Sequence, residues 1–291
     1  MKTIKAFIKS HPLLSYFALA FAISWGGILP IIGGVGAIPG TAEETTKLFP
    51  AVYLVTVAGP SLAGLLLTGL TGGWTAFREL GSRLLKWRVG ARWYAVALLT
   101  TPLTVMATLL SLSLISPEFL PGFLTTSVKA SMLQFGFVAS VGLLTGLLEE
   151  LGWTGFAIPR LLGRHGVLTT GLFVGLLWVA WHFLSNIWGS GTSSGVPLAL
   201  FMPAILFSFL PPYRMLMVWV YDRTESLLVA ILMHASLVAF WIISTPVGMV
   251  GVPLVTWYLV WAAALWAVVG AVALANHRHI SRQPPLQGRV D

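Results

Sequence analysis

No cysteine occurs anywhere in the 291 residues, which excludes a disulfide, a thiolate nucleophile and a cysteine metal ligand. Charge is nearly as scarce: Asp, Glu, Lys and Arg make up 9% of the chain, and only nine residues are acidic. A soluble domain carries roughly 25% charged residues, so a water-facing globular surface is excluded as well. Strand-period alternation is missing, and with it the pattern of a membrane β-barrel. No fixed-period repeat, extended low-complexity segment or interdomain linker interrupts the chain, which reads as one membrane domain over residues 1–291.

What is present belongs in a bilayer: 57% hydrophobic residues, 13 tryptophans and a mean hydropathy of +0.87. About 20 apolar residues at 1.5 Å each cross roughly 30 Å of hydrocarbon. Such windows run over Leu13–Ile32, Phe49–Leu70, Trp93–Ile115, Ser131–Leu151, Leu168–Trp188, Pro197–Met217, Leu227–Ile243 and Leu254–Leu274. Backbone polar groups must pair internally in lipid, so the expected fold is an all-α polytopic helical bundle of about eight spans. The first window lacks a small-x-small cleavage site, so it is expected to be a retained helix.

Basic residues fix the expected orientation. Lys2, Lys5 and Lys9 precede the first window; Arg78, Arg83, Lys86, Arg88 and Arg92 fill the second connection. Arg160 and Arg164 fall in the fourth, Arg214 and Arg223 in the sixth, and Arg278, Arg282 and Arg289 in the tail. The opposite connections hold Lys47 and Lys129 with Glu43, Glu44 and Glu118. An excess of Lys and Arg marks the cytoplasmic side, which places both termini in the cytoplasm of a cell inner membrane. The net charge of +8 is thereby accounted for. Spread over five segments with no nucleic-acid-binding motif, it argues for the lipid bilayer as partner and against nucleic acid. Trp93, Trp188 and Trp257 read as interfacial belt residues.

The pair Glu149 and Glu150 ends a run free of charge from Ala130 to Leu148. One acidic residue at the centre of a membrane helix costs roughly 2.5–3.5 kcal/mol, so it is a functional-site hypothesis by default. His182 and His234 lie inside two further apolar windows. Gly142 and Gly146 share a face with the glutamates, and Gly171, Gly175 and Trp178 share one with His182. Small residues at this spacing let helices approach closely, which is expected to bring the Glu-bearing and His-bearing helices together. Counted along the helices, however, His182 falls roughly 10 Å deeper than His234 at 1.5 Å per residue.

The wording of these segments resembles the CAAX-processing and bacteriocin-processing (CPBP) family of intramembrane proteases. Glu149-Glu150-Leu151-Gly152-Trp153-Thr154-Gly155-Phe156, running on to Pro159-Arg160-Leu161, is similar to its first motif. Trp178-Val179-Ala180-Trp181-His182 is similar to its second. Tyr213-Arg214, Trp219-Val220-Tyr221 and Met233-His234-Ala235-Ser236 are similar to its third. The resemblance covers residues 130–245 and implies a catalytic core there, with a membrane-anchored peptide or protein, prenylated CAAX-type or other, as substrate. Two positions depart from the pattern. Thr154 stands where the family carries an arginine, and Val238 stands four residues after His234, where the family carries Asn or Asp.

Peptide hydrolysis needs a base for water, donors for the tetrahedral oxyanion and an acid for the leaving amine. Glu149 is the candidate base, Glu150 its orienter, and His182 and His234 the groups that position water or donate to the oxyanion. Trp178, Arg160 and Val238 are candidate site-lining residues, with Ser185, Asn186 or a backbone N–H as possible substitutes for the missing amide. Glu149, His182 and His234 also make a legal zinc set with an open position. Plainer alternatives stay open: a structural ion pair of the glutamates with Arg160 or Arg164, or hydrogen-bonded core histidines. So do a non-catalytic family member acting in bacteriocin immunity or as a scaffold, and a proton-coupled transporter.

Overall fold

A computed structural model describes residues 2–280, with the side chains of residues 2, 3, 192 and 277–280 left out of the description. Arg282 and Arg289 lie outside the described residues, as do the side chains of Lys2, His277, Arg278 and His279. The helices are α1 (Lys2–Ser10), α2 (Pro12–Ile32), α3 (Ala42–Leu84), α4 (Ala91–Ser113) and α5 (Val128–Gly152). There follow α6 (Ile158–Leu162), α7 (Val167–Trp188), α8 (Leu198–Thr224), α9 (Leu227–Ser244) and α10 (Gly251–Ile280). No strand occurs among the described residues. Eight helical segments are long and apolar enough to span a membrane, one for each expected window, with α5 and α6 forming a single segment over Val128–Leu162.

Local chemistry sets several helix starts. Thr41 and Glu44 form a reciprocal capping box at α3, and the Ser127 and Ser226 hydroxyls accept from backbone N–H groups of Ala130 and Val229 to open α5 and α9. Gly33 closes α2 in the left-handed conformation at φ +87°. Within α3, Gly73 at φ +61° breaks the helix into a spanning arm and a second arm that carries Glu79 and Arg83. Trp74, just past the break, is 78% exposed.

The glycine faces work as contact surfaces, with one partner different from expectation. A Cβ at Gly142 would sit 2.5 Å from the Ala235 carbonyl oxygen, and one at Gly146 would sit 2.6 Å from that of Ile231. These two glycines therefore seat α5 against α9, the helix of His234. Gly171 and Gly175 face α8 instead of α5: their Cβ atoms would lie 2.7 Å from Met215 Cα and 3.0 Å from Pro211 Cα. The sequence-based expectation paired the Glu-bearing helix with α7, but the stripe on α7 is filled by the Pro211–Met215 stretch.

Two further expectations are corrected. Trp188 and Trp257 are buried, the latter stacked with Tyr258 and Trp261, so neither is a belt residue. Arg214 belongs to no connection: α8 runs on to Thr224, which leaves the guanidinium inside the bundle and fully buried. Replacing Gly146 with Leu should destabilise the protein by about 1–3 kcal/mol through overpacking against α9. Gly136→Leu, where a Cβ meets nothing within 4 Å, should be nearly neutral. Thermal unfolding of the two purified variants checks the contrast, and equal melting would contradict the packing described.

Candidate functional site

The two carboxylates sit where α5 changes pitch. Gly152 leads into a π-helical turn over Trp153–Ala157 before α6 resumes the α-helical register. Such single π-turns are frequent at functional sites because the added residue re-aims the side chains around it. Here the turn is wholly buried, and the Thr154 hydroxyl donates back to Glu150 Oε2. Interhelix hydrogen bonds pin the backbone on either side. Ser61 donates to the Leu148 carbonyl one residue before Glu149, and Tyr213 donates to the Met233 carbonyl, 2.8 Å away and one residue before His234.

Glu150 is saturated. Arg214 Nη1 donates to both of its oxygens, at 2.8 and 3.0 Å, and His234 Nδ1 donates to Oε1 at 2.8 Å. With Thr154 added, four hydrogen bonds reach one carboxylate that is 0% exposed. A buried carboxylate persists only when paired and hydrogen-bonded in this way. Arg214 is the cation that sequence reasoning missed as a site residue, although an arginine inside an apolar window is itself a signal.

Glu149 is different. It is 1% exposed, and its one hydrogen bond among the described residues is from Trp178 Nε1 to Oε2 at 2.9 Å. Its Oε1 faces His234 Nε2 across 4.0 Å, too far for a direct hydrogen bond. His234 donates through Nδ1 to Glu150, and its Nε2 is directed toward Glu149. One histidine thus links the two carboxylates.

Trp178 joins the remaining groups. Its ring centroid lies 4.0 Å from Arg214 Cζ, 5.4 Å from the His234 ring and 5.1 Å from the His182 ring. The cation over the indole face and the two edge-on imidazoles are favourable geometries for a π-system with a negative face. Both histidines therefore pack on one tryptophan, and the depth separation counted along the helices does not keep them apart. His182 is only partly buried and makes no hydrogen bond to either carboxylate. Its Nδ1 donates to the Trp178 carbonyl at 2.9 Å, which leaves Nε2 unpartnered by protein.

The other candidates fall as follows. Ser185 Oγ and Asn186 Nδ2 both donate to the His182 carbonyl, at 3.0 and 2.9 Å, so these side chains cap their own helix. Val238 is half-buried on α9, one turn beyond His234. Arg160 is placed away from the carboxylates: Nη1 donates to the Phe156 carbonyl at 2.7 Å, and Cζ stacks 3.7 Å over the Phe156 ring. It lines a separate cavity of about 750 Å³ with Glu79, Arg83, Gly155, Tyr221 and Asp222. No ion pair links Arg160 or Arg164 to the glutamates among the described residues. Buried and without a hydrogen-bond partner among the described residues are Arg214 Nε and Nη2.

No group of three or more His, Asp or Glu side chains is disposed to hold an ion among the described residues. Glu150 is committed to Arg214. Removing one member of a buried ion pair costs roughly 3–5 kcal/mol, whereas replacing both by apolar groups of similar volume is often neutral. Arg214→Met should therefore lower stability strongly, and Arg214→Met with Glu150→Leu should recover most of the loss in thermal unfolding. A double variant as unstable as the sum of the singles would contradict the pairing.

Comparison with curated proteins finds no match. A family model described as type II CAAX prenyl endopeptidase Rce1-like matches residues 130–240. Those residues begin in α5 and end in α9, and they hold every group of the cluster built above. Over this segment the chain is similar to the CPBP family of CAAX-type intramembrane proteases.

Proposed function

We propose that the protein is an endopeptidase that hydrolyses a peptide bond of a membrane-associated peptide or protein, CAAX-type substrates included. Residues 130–245 are its catalytic core, and it acts at the cytoplasmic face of the inner membrane. The observation that carries the reading is the unequal treatment of two adjacent buried carboxylates. Glu150 is fixed by Arg214, His234 and Thr154, while Glu149 keeps one oxygen free of any hydrogen bond. Environments that set two neighbouring carboxyls apart assign them different roles. Glu149 is then the base that takes a proton from the attacking water, and Glu150 is a positioning residue that holds His234 by its Nδ1.

The oxyanion would be met by donors turned toward it. His182 Nε2, when protonated, and Nε and Nη2 of Arg214, both without a partner among the described residues, are the candidates. Val238 offers none, and this favours a second reading in which the chain is a non-catalytic family member. A cleavage assay separates the two. Purified protein is incubated with membrane-anchored peptides, prenylated and unprenylated, and the products are read by mass spectrometry.

Glu149→Gln should abolish cleavage, a loss of at least about 10²–10⁴ for a general base, while chelators leave wild-type cleavage unchanged. Loss of activity on chelation with rescue by added zinc would replace the glutamate scheme by a metal-dependent one. Val238→Asn should raise the rate, since one oxyanion donor is worth about 10²–10³. A gain near tenfold would mean that Arg214 already supplies part of that stabilisation. Brisk wild-type cleavage that Val238→Asn leaves unchanged or lowers would show that the position has no such role. Absence of cleavage by wild type and by Val238→Asn alike would favour the non-catalytic reading.

A further inference from the structure

A second polar constellation lies away from the carboxylates, where the N-terminus of α4 meets the C-terminal ends of α8 and α10. A cleft of about 260 Å³ is lined there by Arg92, Trp93, Val96, Trp219, Arg223 and Asn276. Trp93 and Trp219 form its floor, edge to face with centroids 5.1 Å apart. Arg223 Nη2 donates to Asn276 Oδ1 at 3.2 Å, and Asn276 Nδ2 donates to the Val272 carbonyl at 2.9 Å, which fixes the guanidinium between two helices. Arg92 stands on the opposite wall, its Cζ 5.2 Å from the Trp93 centroid.

The donors in this cleft outnumber the acceptors. Trp219 Nε1 and Arg223 Nε are buried atoms with no hydrogen-bond partner among the described residues. The nearest carboxylate, Asp222, lies 3.9 Å from Arg223 Nε, outside hydrogen-bond range. Two guanidinium charges against one carboxylate leave one positive charge to be met. An orphaned indole N–H and an orphaned guanidinium N–H call for an anionic oxygen acceptor, and a phosphodiester carries one negative charge with two such oxygens.

The surroundings specify where that group comes from. Leu98 and Leu99, further along α4 from Arg92, are 42% and 48% exposed, and Leu274, two residues before Asn276, is 83% exposed. These bare apolar side chains lie on the two membrane-spanning helices that also supply Arg92 and Asn276 to the cleft. They suit acyl chains and give a soluble phosphate nothing to bind. The guanidiniums would repel the ammonium of a zwitterionic headgroup.

We propose that this cleft is a binding site for the phosphodiester headgroup of an anionic phospholipid, held by Arg92, Arg223 and the Trp219 N–H. It is independent of the hydrolytic site. A basic residue near a membrane surface contributes roughly 1 kcal/mol toward anionic lipid, or about fivefold in affinity per arginine.

The full-length protein would be equilibrated with vesicles of equal phosphatidylglycerol and phosphatidylcholine content, purified in mild detergent and examined by native mass spectrometry for retained lipid. Phosphatidylglycerol should be retained in preference. Its retention should fall about fivefold in Arg92→Gln or Arg223→Gln and about 30-fold in the double variant. Trp219→Phe, which keeps an aromatic side chain but loses the indole N–H together with its five-membered ring, should also weaken retention, and thermal unfolding without lipid should match wild type in the arginine variants. Inorganic phosphate in large excess should not displace the lipid. Equal retention of both lipids, indifference of retention to the arginine variants, or displacement by phosphate would each overturn the assignment.

Discussion

A pair of adjacent carboxylates inside a bilayer is untenable unless something neutralises it, and the ion pair between Glu150 and Arg214 meets that demand. Burying an isolated carboxylate in a medium of low dielectric costs far more than the net stability of a domain. The pairing, one guanidinium nitrogen shared between both carboxylate oxygens, comes from a different helix, so the carboxylate can be satisfied only when α5 and α8 are correctly docked. The architecture around it follows from that requirement. α8 is drawn in by the glycine face of α7, where Gly175 leaves room for Pro211, and α9 is drawn in by Gly142 and Gly146 of α5. Without those close approaches neither Arg214 nor His234 would reach Glu150.

The same pair creates the asymmetry that the proposed hydrolysis would use. Two carboxylates so close cannot both be held as bare anions without strong repulsion. Because Arg214, Thr154 and His234 all serve Glu150, the second residue is left with the Trp178 indole as its one hydrogen-bond donor. Trp178 is therefore more than filling: it touches Glu149 through its nitrogen, Arg214 through its face, and both histidines through ring contacts. A residue fixed by four neighbours has little rotamer freedom, and a rigid donor is what a preorganised site requires.

The helical bundle was legible because hydropathy in lipid is an unusually strong signal, and all eight expected windows have their segments. The glutamates and histidines were legible for the same reason, since polar atoms stand out against an apolar background. Arg214 was misread because a charge tally treats an arginine near a window's end as part of a connection. Three prolines lie within α8, which nonetheless continues seven residues past the expected end. Helices in membranes tolerate proline where neighbouring helices satisfy the freed backbone groups. Partner choice was also hidden. A stripe of glycines announces a close approach but not the helix that fills it, as Gly171 and Gly175 show. Sequence position gives depth without giving the direction in which a side chain points, so it does not distinguish the buried Trp188 and Trp257 from belt residues.

The departure at Thr154 acquires a physical sense once the cation's true origin is known. An arginine four residues after Glu150 would bind the carboxylate from the same helix, and the pair would form whether or not other helices had docked. Here the short Thr154 hydroxyl fills that local position and the charge arrives from α8. Neutralisation of Glu150 is thereby tied to tertiary assembly, with His234 completing the set from α9. An α5 that has not met its partners would carry two unpaired carboxylates at the edge of the hydrocarbon, each costing kilocalories. The fully buried pair exists only in the assembled bundle, so the contacts that neutralise Glu150 and set Glu149 apart from it form only when the fold is complete.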